Sequence, residues 1–161
     1  MVLLIRHVFR TDYADGRDWE LLEWCLARGA TDFTVSGIVS GGRPEPLEPF
    51  DALALPYKLA SEARRDLEAD VRVRELWQLN VGTIAALKVA FPLGLFDYDP
   101  RPSAWFEDLT VYRRGEVLLG IITHEGEGVI RLAEEEMREL HSDGFVTHET
   151  GQWAGYEPAA V

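Results

Sequence analysis

With 161 residues, 16 basic against 28 acidic side chains and a net charge of -12, the chain has the size of one ordinary domain and is strongly acidic. Charge of this sign repels phosphate backbones and anionic headgroups, so nucleic acid and membrane surfaces are excluded as expected partners; a basic protein, a cation or a polar small molecule remains. An apolar fraction of 47% and 5 tryptophans exclude a wholly disordered chain.

Cys25 is the only cysteine, so an internal disulfide and a cysteine-built metal knuckle are both ruled out. The apolar start Val2 to Phe9 is interrupted by Arg6 and His7, and no small-residue cleavage site follows it. No run of about 18 apolar residues could cross a bilayer. The expectation is an unprocessed cytoplasmic protein. From Pro100 onward five basic residues face twelve acidic ones, which places much of the negative charge towards the C-terminus.

In chain order, Val2 to Phe9 predicts a buried strand. Leu21, Leu22, Cys25 and Leu26 then line one helical face, with Asp18 as the expected N-cap and Gly29 in the place of a left-handed C-terminal cap. Asp32 to Val39 alternates as a half-buried strand does. If the first two strands were parallel neighbours, their crossover would be right-handed. Residues 40–56 hold Gly41, Gly42, Pro44, Pro46 and Pro49 and read as a long loop inside the domain. Leu59, Ala63, Leu67 and Val71, then Val73, Leu76, Trp77, Val81, Ile84, Leu87 and Phe91, follow helical spacing. Two helices are expected here, or one broken near Asp70; a short strand at Val71 to Arg74 is the minority reading.

After Pro102 come two apolar runs around Arg114-Gly115, a strand at Val129 to Leu132, and a helix from about Ala133 to His141 with Ala133, Met137 and Leu140 inward. Gly144 closes that helix, Phe145 to His148 forms a last short strand, and residues 151–161 read as a loose tail. The sum is a single α+β domain over 1–161. Its mixed sheet joins an N-terminal strand-helix-strand unit to a C-terminal antiparallel hairpin, with two central helices and one C-terminal helix packed on it.

The hairpin register can be argued from a two-residue loop at Arg114-Gly115. Arg113 then faces Glu116, Val111 faces Leu118, Glu107 faces Ile122 and Trp105 faces His124, which makes Glu107 and His124 diagonal neighbours. A carboxylate there would raise the pKa of His124 and fix its tautomer, as a general base or ligand requires. A structural ion pair is the favoured reading of the same pair. A slip of one residue would substitute Asp108 for Glu107.

His124-Glu125-Gly126-Glu127-Gly128 gathers one imidazole, two carboxylates and two flexible positions at a strand end. His124, Glu127, His141 and His148 are the candidate ligands for a divalent metal, the one cofactor these residue types admit. Their spacing matches no established metal motif, and a solvated turn explains the segment more simply. No cofactor is therefore assigned. Serine-hydrolase elbows, phosphate-binding glycine loops and dinucleotide fingerprints are absent.

Glu125, Glu127, Glu134, Glu135 and Glu139 sum to a negative surface that could steer a basic partner, although the helix dipole alone accounts for Glu134 to Glu136. Of the tryptophans, Trp77 reads as core, one of Trp19 and Trp24 as surface, and Trp153 as the best contact for another chain. Three functional expectations follow. The first is a small acidic protein-binding module, of inhibitor or immunity type, that docks a basic protein. The second is a metal-dependent or acid-base enzyme using His124 with Glu107, Glu125 or Glu127. The third is a self-associating homo-oligomer.

Overall fold

The computed structural model describes residues 4–10, 17–39, 71–90, 94–96 and 104–149. Its elements are β1 (Leu4–Arg10), α1 (Asp18–Ala27), β2 (Asp32–Val39), β3 (Val71–Gln78), α2 (Val81–Ala90), β4 (Ala104–Arg113), β5 (Glu116–Ile122), β6 (Glu127–Ala133), α3 (Glu134–Ser142) and β7 (His148–Glu149). A single 3-10 turn, Thr123–Glu125, joins β5 to β6. The expected loop at 40–56, the first central helix at 57–70 and the tail at 151–161 lie outside the described residues.

Among the described residues one seven-stranded sheet, in the order β3-β2-β4-β5-β6-β1-β7, organises the α+β fold. Each strand pairs antiparallel with its neighbours, so the sheet is antiparallel where the sequence suggests a mixed one. β1 pairs with β6 and β7, and three strands separate it from β2. The strand-helix-strand opening is therefore a long excursion across the sheet, not a parallel unit of neighbouring strands.

Alternation assigns the two faces. Trp77 pairs with Phe33, Phe33 with Val111, Val111 with Leu119 and Leu119 with Ile130, which gives an apolar row across five strands. Phe33, Trp77, Val111, Leu119 and Ile130 are each 0% exposed. The rings of Phe33 and Trp77 stack with centroids 5.6 Å apart. Leu21, Leu22 and Cys25 of α1, Ile84 and Leu87 of α2, and Met137 and Leu140 of α3 share this core. All three described helices thus cover one face of the sheet.

Several local details correct the sequence reading. Val71–Gln78 is strand throughout, so Trp77 reaches the core from an edge strand and not from a helix. The second central helix begins only at Val81. Asn80 starts it: its side-chain oxygen accepts the Thr83 amide at 3.0 Å, while Thr83 Oγ1 accepts the Asn80 amide at 2.8 Å. This is a capping box with threonine in the place of the usual glutamate.

α1 has Arg17 as its N-cap, without a side-chain cap bond. The Asp18 carboxylate accepts the Leu95 amide instead, and Asp18 is 7% exposed. The adjoining backbone passes so close that a Cβ on Gly94, whose φ is +114°, would run into that carboxylate. Gly29 and Gly144, at φ 84° and 85°, end α1 and α3 in the left-handed conformation expected of them. Among the described residues the last strand is His148–Glu149, so it starts later than the sequence suggests. Ala133 caps α3 from outside and is half-buried.

Arg114 and Gly115 form the two-residue turn of the β4–β5 hairpin, with φ of 55° and 79°. Both central residues of a type I′ turn need positive φ, which asparagine accepts more readily than arginine. Arg114→Asn is therefore expected to raise the unfolding free energy by about 0.5–1 kcal/mol in urea denaturation. An unchanged or lowered value would contradict the turn assignment.

Candidate functional site

The hairpin follows the argued register for one step only. Arg113 faces Glu116 and Tyr112 faces Val117, but Val111 faces Leu119, so Leu118 is an extra residue on β5. The bulge lets two consecutive leucines enter the core, with Leu118 at 2% and Leu119 at 0% exposure. It also shifts the pairing by one residue from there on. Thr110 faces Gly120, and continuing that count sets Asp108, not Glu107, level with Ile122.

Asp108 has its own irregularity. The pairing of β2 with β4 slips between Thr34 and Ser36, and Asp108 has a φ of 57°. Aspartate is among the few residues that adopt the left-handed conformation readily. Its amide donates to Thr123 Oγ1 at 2.9 Å, and its Oδ1 accepts the Thr123 amide at 3.2 Å. Asp108 and Thr123 are both 6% exposed. This reciprocal pair fastens the 3-10 turn to β4, and it carries the polar junction that the simple hairpin count assigns to Glu107 and His124. The side chains of Glu107, His124 and His148 lie outside the described residues.

The remaining metal candidates are spread out. His141 sits near the end of α3, where its Nε2 is 2.8 Å from Thr147 Oγ1. Glu127 opens β6, opposite Arg10 of β1. Among the described residues no group of three or more His, Cys, Asp or Glu is arranged to hold a metal ion.

The acidic residues divide into two sets. Glu125 and Glu127 lie before and at the start of β6, while Glu134 and Glu135 follow its end. A strand of this length spans about 20 Å, so the two sets are not one patch. Glu134 and Glu135 are exposed and make no ion pair among the described residues. Glu136 and Glu139 are engaged.

Those engagements form a charged clasp. Arg113 at the end of β4 donates to Glu136 through Nη1 at 2.5 Å and Nη2 at 3.1 Å, a bidentate pair. Glu136 Oε2 also accepts the Ala133 amide at 3.1 Å, the one arm of a capping box available when the cap residue is alanine. Arg28, at the end of α1, donates to Glu139 at 2.8 Å, and its guanidinium lies 3.6 Å over the Trp24 ring. Trp24 Nε1 donates to Asp143 at 2.9 Å. Arg17 donates to the carbonyls of Gly144 and Asp143 at 3.0 and 2.9 Å, and its guanidinium lies 4.4 Å from the centre of the Phe145 ring.

Trp24 is accordingly buried beneath Arg28, and Trp19 is half-buried against the core. Neither tryptophan is the surface residue that their spacing suggests. The side chain of Trp105 and all of Trp153 lie outside the described residues.

The electrostatics of the clasp follow from its geometry. The hydrogen bonds from Arg113 hold the Glu136 carboxyl below its ordinary value of 4.5, against the opposing effect of burial. The same contact raises Arg113. Beneath them lies Cys25, 0% exposed, whose thiol burial pushes up to about 12 despite the nearby guanidinium groups of Arg113 and Arg28. A thiol so placed stays protonated and inert at neutral pH. It is core, as its helical position suggests.

The described residues define an α+β fold on a seven-stranded antiparallel sheet, with the acidic helix α3 clasped to β4 and α1. Compared with protein-family models, curated proteins and solved structures, the chain finds no match in any of the three.

Because the folded pKa of Glu136 lies below the ordinary value, its stabilisation is full above about pH 4.5 and is lost as pH falls through the lowered folded value. Glu136→Gln leaves Arg113 half-buried without its anion, and should cost about 1.5–3 kcal/mol at pH 7. The gap from wild type should shrink on acidification below about pH 4.5. Parallel stability curves from pH 7 to pH 3 would contradict this assignment.

Proposed function

We propose that the protein is a small acidic binding module that docks a basic protein partner through the first turn of α3. The observation that carries this reading is the contrast within that turn. Glu136 is consumed by Arg113, whereas Glu134 and Glu135 stand exposed and without ion pairs among the described residues. Their helix is held from both ends, by Arg113 at the first turn and by Arg17, Trp24 and Arg28 towards the last. Two carboxylates on a fixed base lose little freedom when a cation binds, which favours a specific contact over diffuse attraction.

The overall charge supports the same reading. A net charge of -12 would raise the encounter rate with a basic protein and discourage anionic ones. Four of the described cations, Arg17, Arg28, Lys88 and Arg113, are already paired with carboxylates of the same molecule. Blocking a basic effector, as inhibitors and immunity proteins do, is the activity most consistent with such a surface. A catalytic role has less support, since the described carboxylates of the clasp serve ion pairs and helix ends.

The test is capture from a lysate of the source cells at about 50 mM and about 500 mM salt, using wild type and Glu134→Lys/Glu135→Lys. The proposal expects a basic protein that binds wild type at low salt, dissociates at high salt and is lost with the double reversal. A partner retained by the reversed protein, or unaffected by salt, would rule out this surface.

A further inference from the structure

α2 carries apolar side chains on the side that faces away from the core. Thr83, Ile84 and Leu87 are buried, whereas Val81, Gly82, Ala85, Lys88 and Val89 are exposed. Val81, Ala85 and Val89 recur every fourth residue and so form one stripe along the outer face. Three large apolar side chains stand exposed among the described residues, Val81 at 77%, Val89 at 82% and Val146 at 48%, and two of them lie on this stripe. Single exposed valines need no explanation, but a helix that is apolar on both sides is ordinarily covered on both.

Charge decides what can cover it. The chain has 28 acidic side chains and a net charge of -12, yet no carboxylate lies between Glu75 and Asp97, the segment that contains α2. The one charged side chain of α2 is Lys88, and Glu23 of α1 neutralises it, with Nζ 2.7 Å from Oε1. The stripe is therefore bordered by a closed ion pair and brings no net charge to a contact. Two copies of so acidic a chain repel each other over most of their surface. Here they can meet without opposed carboxylates. A basic protein gains nothing electrostatic from this face, which separates it from the docking surface on α3.

The stripe is also its own complement. A two-fold axis beside Ala85 runs two α2 helices antiparallel, sets Val81 of each copy against Val89 of the other and brings the two Ala85 methyl groups to the crossing. Alanine at that point lets the helix axes approach to about 8 Å, the close end of the usual range. Area sets the strength. α2 has 10 residues and is about 15 Å long, so two such faces bury well below the roughly 1,200 Å² of a stable complex. The contact is weak and depends on protein concentration.

We propose that the outer face of α2 is a self-association surface, through which two copies of this chain pair weakly by Val81, Ala85 and Val89, antiparallel about Ala85. The contact uses no residue of α3, so it stands or falls independently of the docking surface.

Sedimentation velocity of the full chain tests this, from about 10 μM to about 1 mM protein and at about 50 mM and about 500 mM sodium chloride. A dissociation constant of about 0.1–1 mM is expected. Association should be stronger at high salt, because screening removes repulsion between two chains of the same sign. Val89→Asp places a carboxylate on the stripe at a position 82% exposed, and should weaken association about tenfold or more. Val81→Asp, in the first turn where a carboxylate suits the helix dipole, should do the same and serves if the other variant folds poorly. Val146→Asp, the exposed valine off the stripe, should leave association unchanged. A monomer at about 1 mM in both salts, association that neither α2 variant weakens, or an equal loss in Val146→Asp would overturn the proposal.

Discussion

The contact between Arg113 and Glu136 ties the sheet to α3 and, through the carbonyl of Arg28, reaches the end of α1. Arg113 ends β4, Glu136 lies in the first turn of α3, and Arg113 Nη1 also approaches the carbonyl of Arg28 at 3.4 Å. Both side chains are largely withdrawn from water, at 19% and 26% exposure, so the pair is less screened than a surface ion pair. Its bidentate geometry makes up for part of the cost of desolvating two charges. α3 has only nine residues, too few to be helical alone. Met137 and Leu140 anchor its apolar side, and the clasp fixes how it is turned about its own axis.

Other features of the molecule follow from that orientation. With Glu136 drawn in to Arg113 and Glu139 to Arg28, Glu134 and Glu135 are left to present charge outward. The helical layer is committed to one face of the sheet. The opposite face brings Thr34, Thr110, Gly120 and Val129 side by side on β2, β4, β5 and β6.

Much of the fold was legible in local pattern. Asp32–Val39 alternates cleanly and is a strand with those limits. Gly29 and Gly144 ended their helices as expected, and Arg114-Gly115 made the hairpin turn. β3 was misleading because Leu76, Trp77, Val81 and Ile84 satisfy helical spacing across a junction between strand and helix. Only the alternation of Val71 to Arg74 hinted at the edge strand. The bulge at Leu118 was invisible, since Val117 to Ile122 is apolar without alternation and gives a register argument nothing to hold. That single extra residue exchanged Glu107 for Asp108. The clasp was equally hidden: Arg28, Arg113 and Glu136 are joined across 85 and 23 positions of sequence, and nothing local marks which of three consecutive glutamates turns inward.

A double-mutant cycle on Arg113 and Glu136 tests most directly whether this pair holds α3 in place. Arg113→Met, Glu136→Gln and the double variant would be compared with wild type by urea denaturation, with amide exchange followed along α3. A coupling energy of about 1.5–3 kcal/mol, with faster exchange across α3 in each single variant, is the predicted result. Coupling below about 0.5 kcal/mol, the range of an ordinary surface pair, with α3 exchange unchanged, would contradict it.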